Sequence, residues 1–297
     1  MNKVSVIIPT YGRPENLRGA ISSVLVQSYT NWELIVVDDN NPNTEYRNQT
    51  QQIMDDFSDD NRIKYIKHEK NKNGAAARNT GLSYATGDYI AFLDDDDIFS
   101  PNRIKKCIEK LEKEPARIGG VYTGCSFFRN GRKYRNCSKA PDGNFLVETL
   151  ATSFNSYSGS NFVFKKVVFN VIGGFDESFI RHQDYEFLVR FFLHFDLVGI
   201  NECLLVKNEL GTNIPNFDKI YATKLKYLEK YKEILEACSE KEVKYIKYSH
   251  YYQLSNIAYG IDKKLGNEMY HIAVQFEKPS LIDYIRHIYI RLLSKNG

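Results

Sequence analysis

The chain has 297 residues and a mass of 34.4 kDa, with 42% hydrophobic and 26% charged residues, a globular composition that excludes disordered and fibrous classes. Its formal net charge is +3, from 40 Lys+Arg against 37 Asp+Glu, which is too balanced for a protein whose main partner is nucleic acid. The balance conceals a split: residues 220–297 carry 13 Lys/Arg and 9 Asp/Glu together with 11 of the 21 tyrosines, whereas residues 1–219 carry 27 and 28.

The first hundred residues alternate between two periods. Val4–Ile8 is a short β-branched run that ends at Pro9-Thr10-Tyr11-Gly12, and Glu15–Val26 has helical spacing, with Leu17, Ala20, Ile21, Val24 and Leu25 on one stripe. Leu34–Val37 reads as a strand ending at Asp38-Asp39, Tyr46–Phe57 as a helix, and Ile63–Ile66 as a third strand. A polar loop through Asn73-Gly74 leads to a helix at Ala75–Ala85 and a fourth strand at Asp88–Leu93, which runs into Asp94-Asp95-Asp96-Asp97. This order predicts an α/β fold whose mostly parallel sheet carries helices on both faces, with strands apolar throughout because both faces are buried. Pro101–Glu112 reads as a helix entered through Ser100 as N-cap with Pro101 at the first helical position. Val121–Phe128 and Asn161–Phe164 are strand-like, and Phe187, Leu188, Phe191, Phe192 and Phe195 form a core stripe on a helix. From Phe217 onward the pattern is helical, with breaks expected near Gly260, Gly266 and Pro279. The predicted division is a catalytic region over 1–215, with a nucleotide-binding half (1–100) and an acceptor-binding half (101–215), followed by a helical region over 216–297.

The five cysteines (Cys107, Cys125, Cys137, Cys203 and Cys238) are odd in number and scattered, which argues against disulfides and zinc clusters and fits a reducing cytosol. The chain opens directly on a strand with no signal-peptide pattern, and no apolar run approaches the ~18–20 residues of a membrane span. These features predict a cytoplasmic protein.

In a parallel α/β sheet, ligands gather beyond the carboxyl ends of the strands. Three such ends carry Thr10-Tyr11, Asp38-Asp39 and the four consecutive aspartates. Adjacent carboxylates repel one another, and a cation removes that cost. If the fourth strand continues, alternation sets Asp94 and Asp96 on one side and Asp95 and Asp97 on the other, so that one side offers paired hard oxygen ligands for Mg²⁺ or Mn²⁺. The alternative is a solvated acidic turn. Neither a G-x-G-x-x-G turn after the first strand nor a Walker-type glycine-rich loop is present, so a metal rather than a glycine cradle is expected to hold phosphates.

Five segments, in order, resemble the family 2 glycosyltransferases of GT-A fold: Val4–Tyr11, Glu33–Asp39, Asn73–Asn79, Phe92–Asp97, and Gly173-Gly174-Phe175-Asp176-Glu177 with Gln183-Asp184-Tyr185-Glu186. The resemblance covers about residues 3–210 and leaves the tail unmatched. It implies an inverting transferase that uses a UDP-sugar and a divalent metal, Mn²⁺ or Mg²⁺, to glycosylate a hydroxyl of a glycan or lipid-linked acceptor in bacterial surface polysaccharide synthesis. By motif position, Pro9, Thr10, Tyr11, Asp39, Arg78, Asp94 and Asp95 would bind the nucleotide sugar, with Tyr11 flanking the base, Asp39 accepting from the uracil ring and Arg78 against a phosphate. Asp96 would ligate the metal and Asp184 would be the catalytic base. His182 and Asp176 are candidates for acceptor contact, the alternatives being a plain structural role for His182 and a turn or cap role for Asp176. Two positions depart from the pattern: Gln183 stands where the family has Glu, and Asn40-Asn41 where it more often has Gly-Ser. A catalytically silent sugar-nucleotide-binding or scaffold protein, and a metal-dependent nucleotidyltransferase, are the competing readings. The basic, tyrosine-rich tail is expected either to contact a membrane surface peripherally, at its inner face, or to pack on the catalytic region or another subunit of a homo-oligomer.

Overall fold

The computed structural model describes residues 2–129, 131–209 and 216–293. In chain order the elements are β1 (Val4–Thr10), α1 (Pro14–Leu25), β2 (Trp32–Asp38), α2 (Glu45–Asp55), β3 (Ile63–Lys67), α3 (Gly74–Tyr84), β4 (Tyr89–Phe92), β5 (Asp97–Phe99), α4 (Arg103–Leu111), β6 (Ile118–Arg129) and β7 (Arg132–Cys137). There follow α5 (Leu146–Leu150), β8 (Phe162–Lys165), α6 (Val167–Ile172), α7 (Gln183–Phe192), β9 (Asp196–Glu209), α8 (Phe217–Lys230), α9 (Lys232–Ala237), α10 (Glu240–Ala258), α11 (Lys263–Phe276) and α12 (Leu281–Leu293). The chain divides into two compact units, Met1–Asn144 with Ser156–Gly211, and Phe145–Asn155 with Thr212–Gly297. The boundary expected at residue 215 lies outside the described residues. The segment Phe145–Asn155, counted with the acceptor half from sequence, groups with the C-terminal helices.

The first unit is built on one sheet of order β3-β2-β1-β4-β8-β6-β9-β5, with β7 paired to β6. β3, β2, β1 and β4 are parallel and in register: Val6 lies beside Leu34 on one side and Ala91 on the other. Every residue of β2 is buried, as a strand covered on both faces requires. Thr10 is level with Asp38, so the polar ends of β1 and β2 emerge together. Beyond β4 the sheet is mixed: β8 is antiparallel to β4 and β6, β9 is parallel to β6, and β5 is antiparallel to β9. β4 and β5 are four residues apart in the chain yet lie far apart in the sheet order, so the acidic loop between them crosses the carboxyl edge of the sheet.

Two local expectations are corrected. α4 starts at Arg103, not Pro101, because Ser100–Arg103 forms a turn in which the Arg103 N–H donates to the Ser100 carbonyl at 2.9 Å. The cap comes from outside the helix, where the Gln27 Oε1 accepts from the Ile104 N–H at 3.0 Å. Gly266 lies inside α11 rather than breaking it, and a Cβ there would come within 2.4 Å of the Tyr259 ring, so glycine is required for close packing.

In the second unit, Lys224 on α8 is not part of an exposed basic row. It is 2% exposed, and its ammonium donates to the Thr152 Oγ1 (3.0 Å), the His250 Nδ1 (3.3 Å) and the Gln253 Oε1 (2.9 Å). The His250 Nε2 donates to the Leu150 carbonyl, which leaves Nδ1 as the acceptor. No carboxylate is among these hydrogen-bond partners, and burial pushes the Lys224 ammonium down to about 7. A free lysine titrates near 10.4, so the unfolded chain holds a proton that the folded chain sheds above pH 7. Stability therefore rises with pH between about 7 and 10, by on the order of 3 kcal/mol from this group. Calorimetric melting across that range is expected to show a rise in the wild type that Lys224→Met flattens. Identical slopes in the two proteins would refute the assignment.

Candidate active site

The acidic residues after β4 do not continue the strand. The Asp97 N–H donates to the Asp94 carbonyl at 3.0 Å, closing a turn that returns Asp97 to the side of Asp94 and Asp96. One carboxylate oxygen from each of these three lies within 4.8 Å of the others. Asp95 is not part of this cluster. It is 1% exposed, accepts from the Thr10 Oγ1 at 2.8 Å and pairs with the Arg13 guanidinium at 2.7 Å. Burial pushes its carboxyl up to about 7 against the pull of Arg13. Thr10 and Asp95, both assigned to the ligand by motif position, are thus bonded to each other and fix the end of β1 to the acidic loop.

Three cations surround the four aspartates. Arg13 bridges Asp95 and Asp96, the latter at 2.5 Å; Arg78 holds Asp94 at 2.6 Å; Lys207 on β9 faces Asp97 at 3.5 Å. Burial acts to raise the Asp94 carboxyl, but Arg78, Lys207 and Arg13 outweigh it and hold it below its usual range. Asp97 is raised by burial despite Lys207, and its Oδ2 accepts from the Ser158 hydroxyl at 2.7 Å. Arg13 and Lys207 were not singled out from sequence. Arg13 directly follows the Pro9–Gly12 turn after β1, and a cation next to a converging acidic strand end was the available signal. Lys207 becomes legible only through the pairing of β9 with β5.

The carboxyl ends of β1 and β2, the start of α3 and the acidic loop enclose a cleft of about 310 Å³ lined by Pro9, Thr10, Tyr11, Asp39, Arg78 and Asp94, among others. Tyr11 is 55% exposed, with its ring available to a ligand. Asp39 accepts four hydrogen bonds: His68 Nδ1 at 2.7 Å, Asn71 Nδ2 at 2.8 Å, and the Lys72 and Asn73 N–H groups at 2.8 and 2.9 Å. They occupy the usual acceptor capacity of a carboxylate. Asp39 therefore shapes the 68–73 loop as well as facing the cleft. Asp38 is buried against Arg47 and Tyr65 and is structural.

A second cleft of about 220 Å³ shares Arg78, Asp94 and Ile180 with the first. Asp184 and His182 line it, above a floor that includes Phe92, Phe164, Phe175 and Phe187. Asp184 is the second residue of α7, and His182 stands at the N-cap position in a left-handed conformation (φ 62°). Burial raises the Asp184 carboxyl above its ordinary value, while the backbone N–H of Tyr185 and the charge of Arg78 work against it. A carboxylate displaced toward neutrality is better suited to accept a proton at physiological pH. Asp176 is not among the residues lining either cleft; its Oδ1 caps a turn through the Ser178 N–H (2.9 Å) and hydroxyl (2.6 Å).

Gln183 has a definite role. Its Oε1 accepts from Arg78 at 3.1 Å, and its Nε2 donates to the Phe179 carbonyl at 2.8 Å. Arg78 is thereby held between Asp94 and the residue preceding Asp184, with its guanidinium 5.7 Å from the Phe175 ring. A Cβ on Gly74 would come 3.0 Å from the Arg78 Nη1 and 3.3 Å from the Gln183 Oε1, so glycine leaves room for this link. A neutral residue at 183 adds no second carboxylate beside the Arg78–Asp94 pair, which leaves the guanidinium able to meet an anionic ligand.

The donor set of Asp94, Asp96 and Asp97 is three hard oxygens at one strand end, which fits Mg²⁺ or Mn²⁺ bound with few protein ligands and completed by phosphates. Such an arrangement can bind a metal–diphosphate and place a base beside it.

Comparison with known proteins agrees with this geometry. The family model "Glycosyl transferase family 2" matches residues 5–173. An uncharacterized glycosyltransferase of Rickettsia prowazekii is 28% identical over 288 residues, covering 94% of this chain and 86% of that protein. The UDP-Glc:alpha-D-GlcNAc-diphosphoundecaprenol beta-1,3-glucosyltransferase WfgD of Escherichia coli is 44% identical over 111 residues, covering 37% of this chain and 41% of that protein. Among solved structures, the mannosyltransferase PcManGT from Pyrobaculum calidifontis, in complex with GDP-Man and Mn²⁺, superposes with a TM-score of 0.60 at 16% identity, covering 98% of this chain and 80% of that one. S. aureus TarS 1-349 in complex with UDP gives 0.57 at 16% identity, covering 98% and 90%. The chain belongs to glycosyl transferase family 2 and is a glycosyltransferase of GT-A fold.

Proposed function

We propose that the chain transfers a sugar, with inversion, from a UDP-sugar to a hydroxyl of a lipid-linked glycan in bacterial polysaccharide synthesis. The observation that carries this reading is the shared wall: the cleft holding Asp184 opens onto the strand-end cleft through Arg78 and Asp94. The donor and acceptor classes are supported by the E. coli relative, whose name gives UDP-Glc and a diphosphoundecaprenol-linked acceptor. The polysaccharide role is supported by the Erwinia amylovora relative, an amylovoran biosynthesis glycosyltransferase 30% identical over 191 residues.

In this mechanism Tyr11 flanks the base and Asp39 accepts from its ring N–H. Because Asp39 already has four donors, the base must share an oxygen with the Asn71 amide or displace it. Arg78 offers its guanidinium to the diphosphate. A divalent cation held by Asp94, Asp96 and Asp97 would offset charge on the leaving diphosphate. Asp184 takes the acceptor hydroxyl proton as that oxygen bonds to the anomeric carbon. The bond from that carbon to the diphosphate oxygen breaks, its electron pair leaves with UDP, and attack from the opposite face inverts the centre. One carboxylate suffices, since no glycosyl-enzyme is formed.

A panel of UDP- and GDP-sugars with Mn²⁺, scored by thermal unfolding and slow donor hydrolysis, tests the donor class. A UDP-sugar at 100 times its Kd is expected to stabilise by ~2.7 kcal/mol, with no comparable shift from GDP-sugars. A shift from GDP-sugars alone would replace the UDP assignment, and no shift or hydrolysis with any of these donors would remove the proposed donor and reaction.

A further inference from the structure

The feature that the catalytic reading does not absorb is α12. Its inner face is fixed: the Asp283 Oδ2 accepts from Ser280 (2.9 Å) and Tyr248 (3.3 Å), the Asp283 carbonyl accepts from Tyr252 (3.0 Å), and the His287 ring stacks on Tyr270 at 3.4 Å. Among the described residues, the apolar side chains of the opposite face have no such partners. Seven of the positions 281–292 are exposed large apolar side chains (Leu281, Ile282, Tyr284, Ile285, Ile288, Tyr289 and Leu292), and among the described residues no other element exposes more than two.

At 100° per residue these seven fill one continuous arc of about 160°. Arg291 follows Tyr284 on one border and Arg286 follows Ile282 on the other, both exposed. The sole acidic residue of the helix, Asp283, is turned inward. The surface is therefore apolar at its centre and cationic at both edges, with no anionic side chain of its own.

We infer that this face seats α12 in the plane of an anionic membrane surface, its apolar arc at the acyl boundary and Arg286 and Arg291 at headgroup phosphates. Three observations select a membrane over a second copy of the chain. Two-fold pairing of this face would bring four arginines together with no carboxylate on the face to offset them. Tyrosines on the arc suit a boundary that is apolar on one side and wet on the other. Thirteen residues span ~20 Å as a helix, and no described helix is long and apolar enough to cross a membrane, so α12 lies on the surface. The consequence rests on the proposed function: a lipid-linked acceptor is met where its carrier is embedded.

The test uses the full chain and sedimentation with sucrose-loaded vesicles of phosphatidylethanolamine and phosphatidylglycerol, against vesicles of phosphatidylcholine. The wild type is expected to partition at least tenfold more strongly to the anionic vesicles, with the preference lost at high salt because the headgroup attraction is screened. Ile285→Glu, at the centre of the arc, and the double variant Arg286→Glu/Arg291→Glu should each weaken that partition at least tenfold. Both should keep the wild-type melting temperature and donor-hydrolysis rate in vesicle-free buffer. Wild type that stays in the supernatant, or variants that pellet like the wild type, would overturn the proposal. So would a dimer by light scattering that Ile285→Glu dissociates in the absence of vesicle binding, because a second copy would then cover the face. If no sugar nucleotide is hydrolysed but Ile285→Glu still abolishes anionic-vesicle binding, the proposed donor and reaction fall and the docking surface stands.

Discussion

Asp184→Asn is expected to lower sugar transfer by about 10²–10⁴-fold, the usual contribution of a positioned general base, while donor affinity changes by less than about twofold. The amide is nearly isosteric, so the start of α7 and the link from Gln183 to Arg78 should persist. What is lost is the ability to take a proton. In the wild type, burial raises the Asp184 carboxyl, so it is protonated at a higher pH than an exposed aspartate. kcat/KM should therefore fall as pH is lowered through that raised value, and the residual activity of Asp184→Asn should lack this limb. Steady-state transfer with donor binding by calorimetry separates the effects. Transfer near the wild-type rate, or loss of donor binding in parallel with loss of transfer, would remove Asp184 from the role of base.

Asp96→Asn is expected to reduce transfer by roughly 10²–10³-fold at a fixed Mn²⁺ concentration, matching several kcal/mol of lost charge stabilisation. Asp94, Asp96 and Asp97 offer converging oxygens, yet Arg13, Arg78 and Lys207 already pair with them. An amide at 96 keeps an oxygen but loses the charge that competes with Arg13 for a cation. A Mn²⁺ titration should saturate for the wild type and fail to restore the variant. Full recovery at high Mn²⁺ would make Asp96 a minor ligand, and activity unaffected by chelation would exclude a metal role for the triad.

The first hundred residues of the fold were largely legible because their strands are short apolar runs buried on both faces and their helices carry clean stripes. β1, β2 and β3 extend one to three residues beyond the runs that marked them, and β4 is slightly shorter. β9 escaped notice because polar residues such as Asn201 and Glu202 interrupt it and its pairing with β6 shifts register twice near Thr123–Cys125. β7 escaped because it is polar and mostly exposed. At the site, sequence identified the three strand ends, and the structure brings Thr10, Tyr11, Asp39, Arg78 and Asp94 into one cleft. It could not show that Asp97 turns back to join Asp94 and Asp96, since that depends on a reverse turn rather than on strand alternation. Nor could it show that Asp95 serves Thr10 and Arg13, or that the Asp39 carboxylate is already saturated by the 68–73 loop. The tail's charge excess also changes meaning: Lys224 is a buried lysine that burial drives toward its neutral form, whereas Arg286 and Arg291 border an exposed apolar face.

Sugar transfer from a nucleotide donor to a lipid-linked hydroxyl by way of Asp184 is tested most directly by following label from a radioactive UDP-sugar into a butanol-extractable lipid. Wild type and Asp184→Asn are compared with Mn²⁺ and an undecaprenyl-diphosphate-linked acceptor. Label is expected to enter the lipid phase with the wild type and to remain with water-soluble donor and free sugar with the variant. Equal incorporation by both proteins, or label that never leaves the aqueous phase when the donor is shown to bind, would contradict it.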